Sequence, residues 1–265
     1  MALHPTPRLS LALTGLLLWC TTPAWSEPDE QVLGKAQGYP PAPYAQQISQ
    51  MAYRVGSWSA LDRVPGVLTQ PVPRGEQVTP LPTAAQPPAI HYRYRNLRYS
   101  LDEYLERQRV TGLLILKNGE IVAERYRYGR QPEQRFLSFS MAKSVTSLLL
   151  GICLDRGLIA SYDDEAQKYL PELEGTLHGG VTLRNLSNMS SGASIRHDTD
   201  NNTIYPRAFL GEGSDIAPVV AGWNRRAEDQ GRRYNYNELC PLTLGMVIRR
   251  VTGRSMSELD RKSTR

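Results

Sequence analysis

Ser140 and Lys143 are the two residues whose types and spacing best suit nucleophilic chemistry. They form the only Ser-x-x-Lys in a chain of 265 residues. A serine hydroxyl becomes a useful nucleophile when a neighbouring base takes its proton, and an uncharged lysine amine can be that base. The spacing by itself is weak, because a chain with 19 serines and 5 lysines readily contains one such pair by chance. Whether the pair is catalytic therefore depends on the secondary-structure element that carries it.

A long apolar helix is predicted from about Ser140 to Arg156, with the pair at its start. Apolar side chains between Val145 and Leu154 cover nearly its whole circumference, which is typical of a helix at the centre of a protein. The free N–H groups of the first turn favour negative charge, and residues three apart share a face. Burial is expected to lower the pKa of the Lys143 amine. Local physics leaves an alternative open, in which Ser140 only caps the helix and Lys143 is a solvated charge.

An antiparallel hairpin is predicted around Asn118-Gly119, the pair preferred in two-residue type I′ turns. Its strands are expected over 112–117 and 120–128. Further helices are expected over 45–55, 101–109, 162–173, 182–189 and 242–251, the last closed by Gly253. Residues 191–233 are polar and are predicted to form loops.

Composition excludes several function classes. At 40% hydrophobic and 22% charged residues, the chain is neither collagen-like, coiled coil nor wholly disordered. The net charge of +5 comes from 26 arginines, which are scattered among acids, so no nucleic-acid partner is expected. No C-x-x-C or H-E-x-x-H spacing occurs, and we expect no metal and no cofactor. Whether Cys153 and Cys240 form a disulfide stays open.

The N-terminus is typical of a secretory signal peptide over residues 1–26. Arg8 is followed by the apolar stretch Leu9–Trp19, which is too short to span a bilayer, and then by the small-x-small triplet Ala24–Ser26. We expect the mature chain to start at Glu27, to be secreted or periplasmic, and to keep no stable membrane anchor. The alternative is a lipoprotein signal with Cys20 as the lipidated residue.

Three further segments are predicted. Residues 27–90 hold 11 of the 19 prolines and are expected to form an N-terminal extension. Residues 91–259 are expected to be the N-terminal part of a catalytic domain. Residues 260–265 resemble a translated sequencing adapter and are expected to be non-native, the alternative being an ordinary polar tail.

Three blocks of the chain together resemble the serine β-lactamase-related hydrolases. The first block, 137–173, contains Ser-Met-Ala-Lys-Ser and ends in Lys-Tyr-Leu-Pro-Glu-Leu. The second is 181–192, and the third, 234–253, matches the block that carries the family's Tyr-x-Asn. The family includes class C β-lactamases, DD-peptidases, esterases and 6-aminohexanoate-dimer hydrolases. The Ser-Met-Ala-Lys-Ser context and residues 53–62 look closest to the last branch.

The resemblance implies roles for four residues. Ser140 is the expected acylated nucleophile, and its backbone N–H one donor of the oxyanion hole. Lys143 is the expected base, and Tyr236 the expected shuttle of a proton to the leaving group. Glu238 stands at the position of the Asn in Tyr-x-Asn and is expected to bind substrate. A carboxylate only accepts hydrogen bonds, which disfavours β-lactam substrates. The Glu238 carboxylate is expected to favour a cationic or neutral substrate; the alternative is that it points into solvent.

The resemblance also implies a fold and an activity. We expect an α/β fold of the β-lactamase/transpeptidase type, with the hairpin in a sheet domain and an all-α region inserted after the Ser140 helix. The family's third motif, with the strand that supplies the second oxyanion donor, is absent from the 265 residues. The expected fold is therefore incomplete, and residues 1–265 alone are expected to be an inactive, poorly folded fragment.

The expected protein is an exported serine hydrolase acting on a small-molecule ester or amide. The alternatives are a β-lactamase or DD-peptidase, and a non-catalytic binding or sensor domain with the same fold.

Overall fold

The computed structural model describes residues 30–72, 79–200, 203–204 and 216–263. The predicted signal peptide at 1–26 lies outside the described residues. The chain divides into two compact units. The described part of the smaller one is Ile90–Arg109, and the larger comprises Glu30–Ala89 and the chain from Val110 onward. No helix among the described residues is long and apolar enough to cross a membrane.

The smaller unit is a hairpin followed by a helix. Strands β1 (His91–Tyr94) and β2 (Leu97–Ser100) pair antiparallel, and α2 spans Leu101–Arg107. A capping box begins α2: the Ser100 side chain accepts from the Glu103 amide at 3.2 Å, and the Glu103 carboxylate accepts from the Ser100 amide at 2.6 Å. The α2 prediction is confirmed. The β1–β2 hairpin was not predicted, because its two-residue turn contains no glycine and its strands are mostly polar and exposed.

The predicted hairpin of the larger unit is confirmed. Strands β3 (Gly112–Lys117) and β4 (Glu120–Tyr126) pair antiparallel, with Lys117 opposite Glu120. Asn118 and Gly119 both have positive φ, 53° and 81°, as a type I′ turn requires.

The larger unit contains the helices α1 (Met51–Ser57), α3 (Ala142–Asp155), α4 (Leu183–Ser187), α5 (Ala217–Ala221), α6 (Leu239–Thr252) and α7 (Met256–Ser263), and residues 197–200 are also helical. The predicted helix at 45–55 is wrong, because only a 3₁₀ turn at Ala45–Gln47 and then α1 form there. The predicted helix at 162–173 is also wrong, because that stretch forms turns and two short 3₁₀ segments. Gly253 ends α6 at φ 64°, as predicted.

One apolar core holds the helical region together. Buried side chains of α3, α4 and α6 share it, including Leu150, Leu186 and Val247. Cys153 and Cys240 are also fully buried there as free thiols. The described residues after α3 are therefore helices and turns around one core, as expected for an all-α region.

The prediction that α3 is buried all round is wrong. Leu149, Leu150 and Cys153 are buried. On the opposite side Leu148 is 68% exposed, and Met141, just before the helix, is 70% exposed. Apolar residues all round a helix do not determine how many of its faces pack against other elements. The sequence pattern therefore predicted more burial of α3 than the structure has.

His178 makes the larger unit sensitive to acid. The side chain is fully buried, and neither ring nitrogen has a hydrogen-bond partner among the residues that the structure describes. Burial, reinforced by the charge of Arg226, lowers the pKa of His178 to about 4. The contribution of the neutral ring to stability is therefore fully present above the unfolded pKa of about 6.5 and is lost progressively as the pH falls from there to the folded value of about 4. Urea unfolding is expected to show about 3 kcal/mol lost from this residue between pH 7 and pH 4.

His178→Leu is the control for this expectation. The variant keeps an apolar side chain in the core but cannot bind a proton. As the pH is lowered from 7 to 4, the unfolding free energy of the variant should decrease less than that of the parent chain. Parallel slopes for the two proteins between pH 7 and pH 4 would contradict the assignment.

Candidate active site

Ser140 lies in a strained turn directly before α3. The turn is a single 3₁₀ segment, Phe139–Met141, and Phe139 adopts φ 45°. A bulky residue with positive φ is an outlier, and such strain concentrates at functional sites. Met141 occupies the N-cap position of α3 and makes no side-chain cap. The alternative that Ser140 merely caps the helix is therefore not what the structure has.

Trp58 holds this turn from the N-terminal segment. Its carbonyl accepts a hydrogen bond from the Leu137 amide at 2.7 Å. Its indole packs edge-to-face on the Phe139 ring, with centroids 4.9 Å apart. Close by, Arg135 pairs with Asp62 at 2.9 Å. The sequence analysis did not identify Trp58 as a positioning residue, because nothing local to Ser140 indicates a partner so far back in the chain.

Lys143 points to Ser140 rather than to solvent. Its Nζ lies 3.2 Å from Ser140 Oγ and 2.7 Å from Glu238 Oε2. Its side chain is only 18% exposed. The structure therefore brings together three of the four predicted site residues by direct polar contact, and the solvated-charge alternative for Lys143 is wrong.

The predicted lowering of the Lys143 pKa is also wrong. Burial is the strongest single influence on this amine and does lower its pKa. Hydrogen bonding to Glu238 and Tyr236, together with their charges, outweighs burial, so the pKa of Lys143 is raised above its ordinary value. At neutral pH the resting site therefore holds an ammonium ion, which donates to Glu238 Oε2 and to Ser140 Oγ.

Glu238 is the neighbour that raises the pKa of Lys143 most. Its side chain is 5% exposed, so the carboxylate does not point into solvent. One oxygen binds Lys143, and the other, Oε1, is buried and has no hydrogen-bond partner in the described part of the chain. A buried carboxylate with a single partner depends strongly on that partner.

Tyr236 is the fourth predicted residue, and its ring stands against the lysine. Lys143 Nζ is 5.0 Å from the ring centroid, within cation–π distance. The ring of His197 also packs edge-to-face with the Tyr236 ring, with centroids 4.9 Å apart. The four predicted residues therefore form one cluster, built from the start of α3 and from the segment before α6.

Two asparagines position Tyr236, and the sequence analysis missed both. Asn235 donates from its side chain to the carbonyls of Ala193 and Ile195, each at 3.1 Å. Asn237 accepts from the Cys240 amide at 3.1 Å and so caps the first turn of α6. The Asn-Tyr-Asn run was the available signal, since asparagines on both sides of a tyrosine can fix the backbone that carries it.

A cleft of about 560 Å³ opens at Ser140. Three segments form its walls. The first contributes Ala45, Ile48, Leu61, Val67, Leu68 and Thr69. The second contributes Leu137, Phe139, Ser140, Ala142, Lys143 and Thr146, and the third Glu238, Pro241 and Leu242. We call it the Ser140 cleft.

Among the described residues, no three His, Cys, Asp or Glu side chains converge as metal ligands would.

A family model, a relative of known sequence and a solved structure are each similar to this chain. Residues 84–263, more than half of the chain, match the family model described as Beta-lactamase. The 6-aminohexanoate-dimer hydrolase of Paenarthrobacter ureafaciens is 29% identical over 174 residues, which make up 63% of this chain and 40% of that protein. A solved structure from Bacillus anthracis, provisionally named a 6-aminohexanoate-dimer hydrolase, superposes with a TM-score of 0.70 at 20% identity. The superposition covers 89% of this chain and 62% of that one, so the chain spans less than two thirds of either relative.

Proposed function

The chain belongs to the beta-lactamase family of serine hydrolases, and from that premise we propose that it hydrolyses an ester or amide through an acyl-enzyme on Ser140. The resemblance seen in the sequence and the expected α/β fold of the β-lactamase/transpeptidase type are confirmed. One observation carries the proposal: Lys143 Nζ lies 3.2 Å from Ser140 Oγ, at the wall of a cleft large enough for a small substrate.

In the proposed acylation, Lys143 acts in its uncharged form. The amine takes the proton of Ser140, and Oγ bonds to the carbonyl carbon of the substrate, whose π electrons move to the carbonyl oxygen. The backbone N–H of Ser140 is the proposed donor to that oxyanion. Because the resting amine is protonated, only the deprotonated fraction reacts, and turnover is expected to rise toward alkaline pH.

Tyr236 completes the proposed cycle. As the tetrahedral intermediate collapses, the bond to the leaving group breaks and the phenol donates a proton to it. Tyr236 then recovers a proton from the Lys143 ammonium, whose Nζ lies 5.0 Å from the ring centroid. Water attacks the acyl-enzyme by the reverse sequence, with Lys143 again as the base.

A fluorophosphonate probe tests the proposal. With the full-length gene product, the probe is expected to add covalently to the peptide that contains Ser140, as detected by mass spectrometry. Absence of labelling would favour the non-catalytic binding domain. Hydrolysis of nitrocefin at a rate comparable with that of simple esters would favour a β-lactamase or DD-peptidase instead.

We also propose that the protein is exported. The charged, apolar and small-x-small order of residues 8–26 supports this. N-terminal sequencing of exported material is expected to begin at Glu27, and a retained Met1 or a lipidated Cys20 would contradict it.

Glu238→Gln is expected to move the acidic limb of the kcat/KM profile to lower pH. The carboxylate helps to hold the pKa of Lys143 above its ordinary value, so its replacement by a neutral amide frees the uncharged base at lower pH. The check is the pH dependence of ester turnover. Glu238→Asp, which keeps the charge, is expected to leave the limb near its original position. A profile that Glu238→Gln does not move would contradict the assignment.

A further inference from the structure

We infer that the Ser140 cleft binds the acyl part of the substrate as an uncharged, extended apolar chain. This inference rests on the proposed function, since it takes Ser140 as the point of attack, and it adds the chemical class of the group that is transferred.

The walls of the cleft carry the first part of the inference. Ten of its fifteen lining residues are apolar. Five of these ten come from the segment 45–68, and the other five from Leu137–Ala142 and from Pro241 and Leu242. Leu68 is 76% exposed and Phe139 52% exposed, so both have apolar surface for a ligand to cover. Covering such surface favours an apolar ligand in proportion to its area.

The charges of the cleft carry the second part. Among the described residues that line it, Lys143 and Glu238 are the only charged ones, and they neutralise each other at 2.7 Å. With that pair formed, the described lining has no unpaired charge to offer to a carboxylate or an ammonium on the acyl chain. Breaking a largely buried ion pair is costly because one charge is left without its partner. The cleft therefore disfavours acyl groups of either charge.

The size of the cleft carries the third part. A volume of about 560 Å³ falls within the range of roughly 300–1,000 Å³ typical of small-molecule sites. That space exceeds what an acetyl group fills. Each methylene that the walls cover is expected to raise kcat/KM by up to about fourfold, until the chain extends beyond the apolar wall.

A series of p-nitrophenyl esters with acyl chains of increasing length tests the inference on the full-length gene product. We expect kcat/KM to rise with chain length and then level off. Acyl groups of matched length that end in a carboxylate or an ammonium should react at least tenfold more slowly. Leu68→Asp is expected to reduce the ratio of long-chain to short-chain kcat/KM. The matched control is Leu158→Asp, at an exposed leucine outside the cleft, and it should leave that ratio unchanged.

A binding measurement separates this inference from the proposed function. Ser140→Ala protein is titrated with N-phenyl-1-naphthylamine, an uncharged apolar fluorophore. Binding that Leu68→Asp weakens at least fivefold and Leu158→Asp does not would support the apolar subsite, even if no ester were hydrolysed. Normal ester turnover with no dependence on chain length would overturn the inference and leave the proposed function intact. Fluorophore binding that is absent, or that is indifferent to Leu68→Asp, would also overturn it.

Discussion

Replacement of Ser140 by alanine is expected to reduce kcat for ester hydrolysis by about 10⁶-fold, to the level of residual catalysis by binding alone. The Ser140 hydroxyl lines the Ser140 cleft and is the potential nucleophile that Lys143 contacts there, at 3.2 Å. Without it no acyl-enzyme can form, so the fluorophosphonate adduct should vanish as well. Stopped-flow or steady-state assay of a chromogenic ester, with intact-mass detection of the adduct, measures both effects.

Ser144→Ala is the matched control for this prediction. Ser144 is exposed one turn further along α3 and does not line the Ser140 cleft. Both variants remove one hydroxyl from a surface position, so both should keep the thermal midpoint of the parent. Near-normal turnover by Ser140→Ala would contradict the acyl-enzyme mechanism.

Replacement of Lys143 by alanine is expected to cost both rate and stability. The loss of the general base should lower kcat by about 10²–10⁴-fold. The loss of the ammonium also leaves the Glu238 carboxylate buried without a partner, and removing one member of a buried pair costs about 3–5 kcal/mol. Since Lys143 is 18% exposed and Glu238 5% exposed, we expect the lower end of that range. Ester kinetics and urea unfolding at pH 7 measure the two effects separately.

A second substitution distinguishes the two losses. Adding Glu238→Gln to Lys143→Ala replaces the orphaned charge by a neutral amide, so most of the stability should return while kcat stays low. Lys168→Ala is the control for a lysine ion pair at the surface. Lys168 is 51% exposed and binds Asp164 at 2.8 Å, and because solvent screens this pair its loss should hardly change stability and should not change turnover. Recovery of kcat in the double variant would contradict the role of Lys143 as base.

Features that depend on a few neighbouring residues were predictable from the sequence. The Asn118-Gly119 turn formed as expected, because two adjacent positive φ angles are a local requirement. The end of α6 at Gly253 followed for the same reason. The Ser140–Lys143 contact was also local, since a spacing of three residues at the start of a helix brings the two side chains onto one face. The fold family could be recognised because its motifs are short runs of sequence.

Features that depend on distant segments were decided by the tertiary structure. Glu238 lies far from Lys143 in the chain, yet it contacts the amine at 2.7 Å and reverses the expected direction of its pKa shift. The segment 45–69 lies within the predicted N-terminal extension, 27–90, and the structure makes it a wall of the Ser140 cleft. The apolar circumference of α3 suggested burial on every side, whereas Leu148 is 68% exposed. The physical reason is common to all three: burial, and the sign of an electrostatic shift, depend on which surfaces meet in space, and residue order determines that only through the packing of the whole chain.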